Sequence, residues 1–544
     1  MAGRDGRAAH YMIGGGIASL AAAAFLIRDA GVPGASIRIF DDQPQPGGAL
    51  DASGGVAEGY LTRGGRMFER NFVNTFDLFD DIPSADDPDI SVSRDILSFN
   101  EEVRAASRCR LIAAGEKADM AHLGLGAGDI VALNRLLIVP ERRLAGRTIG
   151  SWFDRDFFES NFWIMWSTMF SFQPWHALAE MRRYMRRFIH LLPGLTRIAG
   201  VLRTRYNQYD SLVSPLVAWL EERGVAFERE ARVTGLSIRG DAEGRRVDRI
   251  DLADGRRLAL GEQDRVYVTL GSMVDGATYG SNDRAPSLEP APTPSWDLWR
   301  SSLAARHDGF GRPEAFCADT RRTAWTSFTV TLRETGFRDF VEELTGNATG
   351  TGGLVTIRDS GWLMSFVFFR QPHFRAQPPD TTVFWGYGLR GDRNGDYVPK
   401  PMWEATGDEI LAELAGQLRL GADRMGWFDG ARVLPCRMPF ITSQFMPRRS
   451  GDRPATCPPG AKNFALMGQF VEQPLDTVFT VEYSVRSARA AVHALTGRSP
   501  PLPVVRTDRD PAVLFRAARV LLTDGAASTA PASADATGRA DTAR

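Results

Sequence analysis

At 544 residues the chain exceeds one ordinary domain, which implies two or three packed units or one discontinuous domain carrying a large insertion. Its 65 basic and 66 acidic residues cancel to a formal charge of −1, so it lacks the long-range positive field that draws proteins to nucleic acid, and nucleic acid is excluded as an expected partner. Hydrophobic residues make up 43%, with 32 Phe and 12 Trp, a composition that implies a globular protein with large apolar surfaces to bury, an apolar ligand among them.

The opening "MAGRDGRAAHYMIGGGIASLAAAAFLIRDAG" sets arginines ahead of an apolar, alanine-rich run, as a secretory leader does. Glycines interrupt that run and a second strand-like stretch follows, so the expected order is strand "HYMIGGG", turn, helix "IASLAAAAFLIRDAG", strand "ASIRIFDD": one βαβ unit. Gly14-Gly15-Gly16-Ile17-Ala18-Ser19 matches the dinucleotide fingerprint G-x-G-x-x-G except at Ser19. Gly14 permits the tight turn, Gly16 lets a pyrophosphate approach, and the helix start at Ile17 and Ala18 offers free amides. Asp41 or Asp42, ending the second strand, is the candidate partner of an adenosine ribose. "PGGALDASG", with Gly47 and Gly48, resembles the second glycine turn of many flavoproteins and favours FAD over a nicotinamide cofactor.

Further along, "RVTGLSI", "RVYVTLGS", "SFTVTL" and "TVFWGYGL" read as strands, and helical periodicity marks 174–192, 211–223 and 405–419. The fold class is therefore α/β, a Rossmann-like FAD-binding unit with an inserted mixed α+β substrate unit. The expected division gives 1–90, 200–285 and 425–500 to the first unit and 91–199 and 286–424 to the second. Residues 501–524 form a C-terminal amphipathic segment in which Val513, Leu514, Ala517 and Leu521 share a face beside Arg516 and Arg519, fit either to touch a membrane surface or to dock on the protein's own core. Residues 525–544 are too poor in apolar groups to fold. Cys109, Cys317, Cys436 and Cys457 lie far apart, which indicates neither a metal site nor a disulfide framework and fits a reducing cytoplasm. No apolar segment approaches the ~20 residues that span a bilayer.

Five blocks carry a resemblance: "RGGR" at 63–66, "FWIMWSTMFSFQPWHALAEMRRYMRRFIH" at 162–190, "YNQYDSL" at 206–212, "RQPHF" at 370–374 and "GQFVEQPLDTVFTVEYSVRSARAAV" at 468–492. Together they resemble the oleate hydratases, once called myosin-cross-reactive antigens, which add water to an isolated cis double bond of unsaturated fatty acids. The resemblance implies FAD bound without net redox turnover and working best when reduced. It also implies that Tyr184 in "RRYMRRF" protonates the alkene and that Gln208 in "YNQYD" places substrate or water. On a helix Tyr184 shares an apolar face with residues 177, 178, 181, 185 and 188, while Arg182, Arg183, Arg186 and Arg187 lie largely on the others. The loop with Arg63, Gly65 and Arg66 is expected at the flavin, as are Val233, Ser272 in "TLGSMVDG", and Phe479 and Thr480 at the start of the last long helix. Family dimers often use residues ahead of the fingerprint; only about ten exist here, which favours a monomer.

Two departures stand out. The family pattern is RGGRE, its glutamate holding the attacking water, and this chain has Met67 there, which cannot take a proton. Glu69, two residues on, would serve as the base if the loop is rearranged, but is expected to be a solvated loop carboxylate. The family's carboxylate-binding threonine and asparagine, in T-V-N-R-Q-P-H, correspond to Val367 and Phe369, leaving His373 and making Arg370 a candidate replacement. The expected activity is hydration of a long-chain cis-unsaturated fatty acid such as oleate by a protein that is cytoplasmic, with peripheral membrane contact through its C-terminal helix. Competing readings are a flavin oxidoreductase on an apolar substrate, whose flavin spectrum would change with turnover, and a non-catalytic flavin-bound lipid binder, which would release no altered product.

Overall fold

The computed structural model describes residues 8–120, 122–241, 243–498, 500–505, 513 and 515–519. Five parallel strands form one sheet, in the order Phe464–Met467, Arg265–Thr269, His10–Ile13, Ile37–Phe40, Ala226–Glu228. Parallel strands are covered on both faces and so read as apolar runs. Here Met12, Ile37, Ile39, Tyr267, Ala465 and Met467 face one core. Their neighbours Tyr11, Ile13, Phe40, Val266, Val268 and Leu466 face another, with Trp296 and Trp299.

The helix Ile17–Arg28, "IASLAAAAFLIR", packs in the first core, buried on every side from Ile17 to Leu26. Its alanines let the helix Val481–Thr496 approach closely through Ala488 and Ala491. The alanine-rich opening is thus an internal helix of the parallel sheet. Over the other face lies an antiparallel sheet of Val233–Arg239, Arg246–Leu252 and Arg257–Ala259.

An eight-stranded mixed sheet forms the second layer, in the order Thr278–Tyr279, Arg432–Met438, Trp325–Leu332, Thr382–Gly388, Met364–Phe368, Val355–Ile357, Leu111–Ala113, Glu116–Lys117. Side chains alternate across it. Phe328, Val330, Phe366, Phe384 and Val433 pack with Ile410 and Leu414 of the helix Gly407–Gln417, whereas Trp325, Val367, Trp385 and Tyr387 turn toward the large central core. Residues 278–279 and 432–438 hydrogen-bond into this sheet, although the expected division gives both stretches to the first unit. The hairpin Ala52–Gly55 and Gly59–Thr62 docks its backbone on buried threonines of the sheet: the Tyr60 amide donates to Thr331 Oγ1 at 2.9 Å and the Thr62 amide to Thr329 Oγ1 at 3.2 Å. That docking fixes where residues 63–67 emerge.

On the helix Leu178–Phe188 burial extends beyond the apolar face to most of the arginines. Arg182, Arg183 and Arg187 are buried, and Arg183 pairs with Glu141 at 2.7 Å and Glu472 at 2.8 Å. On the same helix Glu180 is fully buried and bridges Arg453 at 2.9 Å and Arg448 at 3.1 Å. Buried charge survives only when paired, and this network supplies the pairing. Of the C-terminal segment, Val513 and Ala517 are buried against the central core, which favours self-docking, while Phe515 and Arg516 are exposed. Leu514, Leu521 and residues 525–544 lie outside the described residues. No described helix is long and apolar enough to cross a membrane.

Burial pushes the Glu180 carboxyl up, but the guanidiniums of Arg453, Arg448 and Arg183 outweigh it and hold its pKa at about 2 against an ordinary 4.5. A depressed pKa contributes stability that is full above the unfolded value and lost as pH falls through the folded one. Glu180→Ala should therefore cost about 3–5 kcal/mol in denaturant unfolding at pH 7, since it leaves two buried arginines short of a partner. The gap between variant and wild type should narrow from about pH 4.5 toward pH 2.

Candidate functional site

Two cavities share a wall. The first, about 500 Å³, within the range of cofactor sites, opens at the carboxyl ends of the parallel strands. Gly14, Gly16, Ile17 and Ala18 line it at the first glycine turn. Gly14 has φ +94, in the region glycine alone enters freely. A Cβ on Gly15 would lie 2.0 Å from Asp41 Oδ2, so this position must be glycine for Asp41 to sit where it does. At Gly16 nothing lies within 4 Å of where a Cβ would stand, leaving the helix start open to a ligand. Ser19, in place of the third glycine, is buried and within 3.2 Å of Thr269 Oγ1, so the substitution adds a hydrogen bond between helix and strand.

Asp41 and Asp42 are on the same lining, with Gly48, Arg63, Arg66, Val233, Ser272, Phe479 and Thr480. Burial, then the neighbouring charge of Asp42, raises the Asp41 pKa to about 7. Arg63 donates to Asp51 Oδ2 at 2.8 Å, and its buried Nη1 has no protein partner. Thr480 caps the helix Val481–Thr496, accepting from the Tyr483 amide at 3.1 Å, so a second helix start faces this cavity. Of the expected cofactor residues only Gly65 is elsewhere: it lines the second cavity, its open side filled by the Phe369 ring.

The second cavity lies between the loop 65–67 and the face of the mixed sheet. Met67, Gln208, Val367, Phe369, Arg370 and His373 all line it, so the structure brings together six residues spread over 300 positions of sequence. His373 stacks on Phe369, ring centroids 4.1 Å apart, and burial lowers its pKa to about 3, leaving it neutral at pH 7. Gln208 Nε2 donates to Thr204 Oγ1 at 3.4 Å. Trp325, Trp385 and Tyr387 complete an aromatic wall that the sequence reading missed. Their signal was present in the alternation of "TVFWGYGL", whose large aromatics at 385 and 387 share a face.

Arg66 and Phe479 line both cavities and form the dividing wall. The Arg66 guanidinium lies 5.5 Å from the centre of the Phe479 ring, and burial lowers its pKa to about 10. Phe479 has φ +67, a strained conformation for a residue with a side chain. Its amide donates to Gln469 Oε1 at 2.6 Å, while Gln469 Nε2 donates to Ser484 Oγ and to the Thr480 carbonyl. Gln469, unrecognised in the sequence, is the clamp that holds this turn.

Tyr184 is not on the lining of the second cavity. It is buried among Phe170, Phe172, Phe188 and Phe445, and its hydroxyl donates to the Val478 carbonyl at 2.6 Å, one residue from Phe479. Burial, then the charges of Glu180 and Asp476, raises its pKa well above the ordinary phenol value, so it remains protonated. Tyr206 and Tyr387 are the phenols on the lining, the Tyr387 hydroxyl donating to the Thr168 carbonyl. Glu69 is buried rather than solvated, paired with Arg187 at 3.6 Å and His190 at 3.0 Å. Among the described residues no carboxylate lines the second cavity.

An α/β protein with a glycine-turn cavity backed by a narrow aromatic one is the class these features define. The profile of the MCRA family matches residues 7–493, and the chain belongs to that family. It is 38% identical over 510 residues to the oleate hydratase of Streptococcus pyogenes serotype M49 (strain NZ131), covering 91% of this chain and 86% of that protein. It is 31% identical over 567 residues to the linoleate hydratase of Lactiplantibacillus plantarum, covering 93% and 97%. The family is one of enzymes, and its curated relatives are hydro-lyases. A solved oxidoreductase from Methanosarcina mazei matches with a TM-score of 0.49 at 13% identity, over 89% of this chain and 99% of that one, a likeness that carries no argument.

Gly15→Ala forces either Asp41 or the turn to move. We expect a loss of about 1–3 kcal/mol in unfolding free energy, the usual cost of overpacking, measured by denaturant melts beside Gly16→Ala, which meets no neighbour and should cost less.

Proposed function

We propose that this protein is a fatty-acid hydratase that binds FAD in the first cavity and a long-chain cis-unsaturated fatty acid such as oleate in the second. The observation that supports it most is the shared wall: the residues expected at a flavin, Gly65 apart, and those expected at the substrate, Tyr184 apart, line adjoining cavities separated by Arg66 and Phe479. The chain's relatedness to two hydratases agrees with it. The first cavity fits the cofactor chemically, with two helix starts for a pyrophosphate, Asp41 for a ribose, and Arg63 with an unanswered buried nitrogen. Bound there, FAD would supply a reducible ring and would not be consumed.

In this reading Tyr184 gives its hydroxyl proton to one alkene carbon, water adds to the other, and the proton released by the water returns to the phenolate. The product carries one new C–H and one new C–O bond, and no electrons leave the lipid. For its hydroxyl to reach the alkene Tyr184 must release the Val478 carbonyl, so the turn ending at Phe479 has to shift when substrate enters. Positive charge that develops on the lipid meets the faces of Trp325, Trp385 and Tyr387, which attract cations. Gln208 and the neutral His373 are left to orient the water, since Met67 cannot take a proton.

The test is anaerobic incubation of the FAD-loaded, chemically reduced protein with oleic acid in heavy-oxygen water, followed by lipid mass spectrometry. A hydroxystearate carrying the heavy oxygen is the expected result; unchanged oleate would defeat the reading. Tyr184→Phe should lower turnover about 10²- to 10⁴-fold with flavin absorbance retained, the usual worth of a general acid. Tyr387→Phe should stay within about tenfold of wild type, and the opposite pattern would move the acid's role to Tyr387.

A further inference from the structure

The second cavity lacks the polar side chains that hold a carboxylate in the family pattern, yet one part of its wall is cationic. Arg203, Arg205 and Arg370 converge on the ring of Phe99, their guanidinium carbons 5.7, 5.3 and 5.9 Å from its centre, and all four residues line the cavity. Arg205 is already answered, by Asp95 at 2.9 Å and Glu102 at 3.3 Å. Among the described residues no carboxylate pairs with Arg203 or Arg370. Arg203 donates instead to backbone carbonyls, to Val103 at 2.6 Å and to Gly350, and its buried Nε has no partner. The loop across from them is built of glycine where they approach. A Cβ on Gly350 would stand 3.0 Å from Arg370 Cα, and one on Gly352 would stand 2.9 Å from Arg203 Cδ.

We propose that Arg203 and Arg370, on the floor made by Phe99, form the seat for the carboxylate of the bound fatty acid, replacing the side chains lost at Val367 and Phe369. The assignment rests on the hydratase reading for the identity of the ligand. His373 cannot supply the charge, because its imidazole is buried against Phe369. Two guanidiniums with no competing carboxylate can each make a charge-assisted hydrogen bond to the head group, and an ester or alcohol gains much less from them.

The experiment compares equilibrium binding of oleic acid and methyl oleate to the full-length, FAD-loaded protein, read by quenching of the tryptophans that line the cavity. Wild type should bind the acid at least about 100-fold more tightly than the ester, and each arginine removed should cost the acid about 10- to 100-fold. Arg370→Gln should narrow that preference, Arg203→Gln with Arg370→Gln should bring the acid down to the ester's affinity, and both should leave the ester unchanged. Arg370→Lys should restore part of the preference. Equal binding of acid and ester by wild type, or a parallel loss of both in Arg370→Gln, would overturn the assignment. Because the readout is binding, a protein that selects the acid through these arginines but forms no hydroxy acid would sink the hydratase reading and leave the seat standing.

Discussion

The contact between the two glycine turns is the constraint on which both cavities depend. The Gly47 amide donates to the Gly15 carbonyl at 3.0 Å, and a Cβ on Gly48 would stand 3.3 Å from Gly16 Cα. Backbones approach that closely only where neither carries a side chain. Because the second turn is pressed against the first, the hairpin after it is led across to the threonines of the mixed sheet, and the loop 63–67 that leaves the hairpin runs between the two layers. Arg63 and Arg66 consequently face the first cavity while Gly65 and Met67 face the second. A bulkier residue at 47 or 48 would act at both sites through one backbone shift.

Buried arginines divide the molecule into parts built for stability and parts left available. Arg183, Arg448 and Arg453 are bound to Glu180 and Glu472 in a network where every guanidinium has a carboxylate, and such an arrangement rigidifies. Arg110 is also fully buried, but it donates to the carbonyls of Leu195, Met165 and Leu354 and acts as a clamp between segments. Arg66 and Arg203 also lack a paired carboxylate among the described residues, Arg66 donating to the Ala49 carbonyl at 3.3 Å and Arg203 to the carbonyls of Val103 and Gly350, and for both, burial lowers the pKa to about 10, which still leaves them charged at neutral pH. A protein tolerates that desolvation where a ligand's charge or an aromatic face offsets it, and these two residues line ligand-sized cavities.

The parallel sheet was legible because its signals are local: an apolar strand, three glycines, an alanine-rich helix and an acid at the next strand end occur within one short stretch. Residues 10–13, 17–28 and 37–40 form those elements. The second cavity was legible only through family blocks, since nothing in the local pattern of "VFFRQPH" says that it lies opposite Gly65. Long-range pairing decides such matters, and a single sequence does not encode it by periodicity. The same limit hides the burial of Arg182, Arg183 and Arg187: "MRRYMRRF" reads as amphipathic until Glu141, Glu472 and Glu69, distant in sequence, are brought to the helix. The place of Thr278–Tyr279 in the mixed sheet was hidden likewise, because so short an edge strand is defined by its partner more than by its residues.

Met67 poses the question of whether a base has been displaced or lost, and the surroundings of Glu69 decide it. Moving Glu69 to the second cavity would strip a carboxylate from the buried Arg187 and from His190, and would carry an unpaired charge past aromatic rings. Leaving one partner of a buried ion pair uncompensated costs about 3–5 kcal/mol, as much as a general base usually contributes to a rate, which is about 10²- to 10⁴-fold. Displacement therefore gains nothing, and Glu69 belongs to the structure that holds the Arg187 side chain. In the hydratase reading proposed above no carboxylate stands beside the alkene, so water attack would have to follow protonation closely, and the reaction would depend on how well the aromatic wall and the Phe479 turn hold the charged lipid while a weakly oriented water arrives. Arg66, a fixed positive charge in the dividing wall, opposes that cation from one side. Arg66 also lines the first cavity, so an anionic ligand held there would answer its charge from the other side.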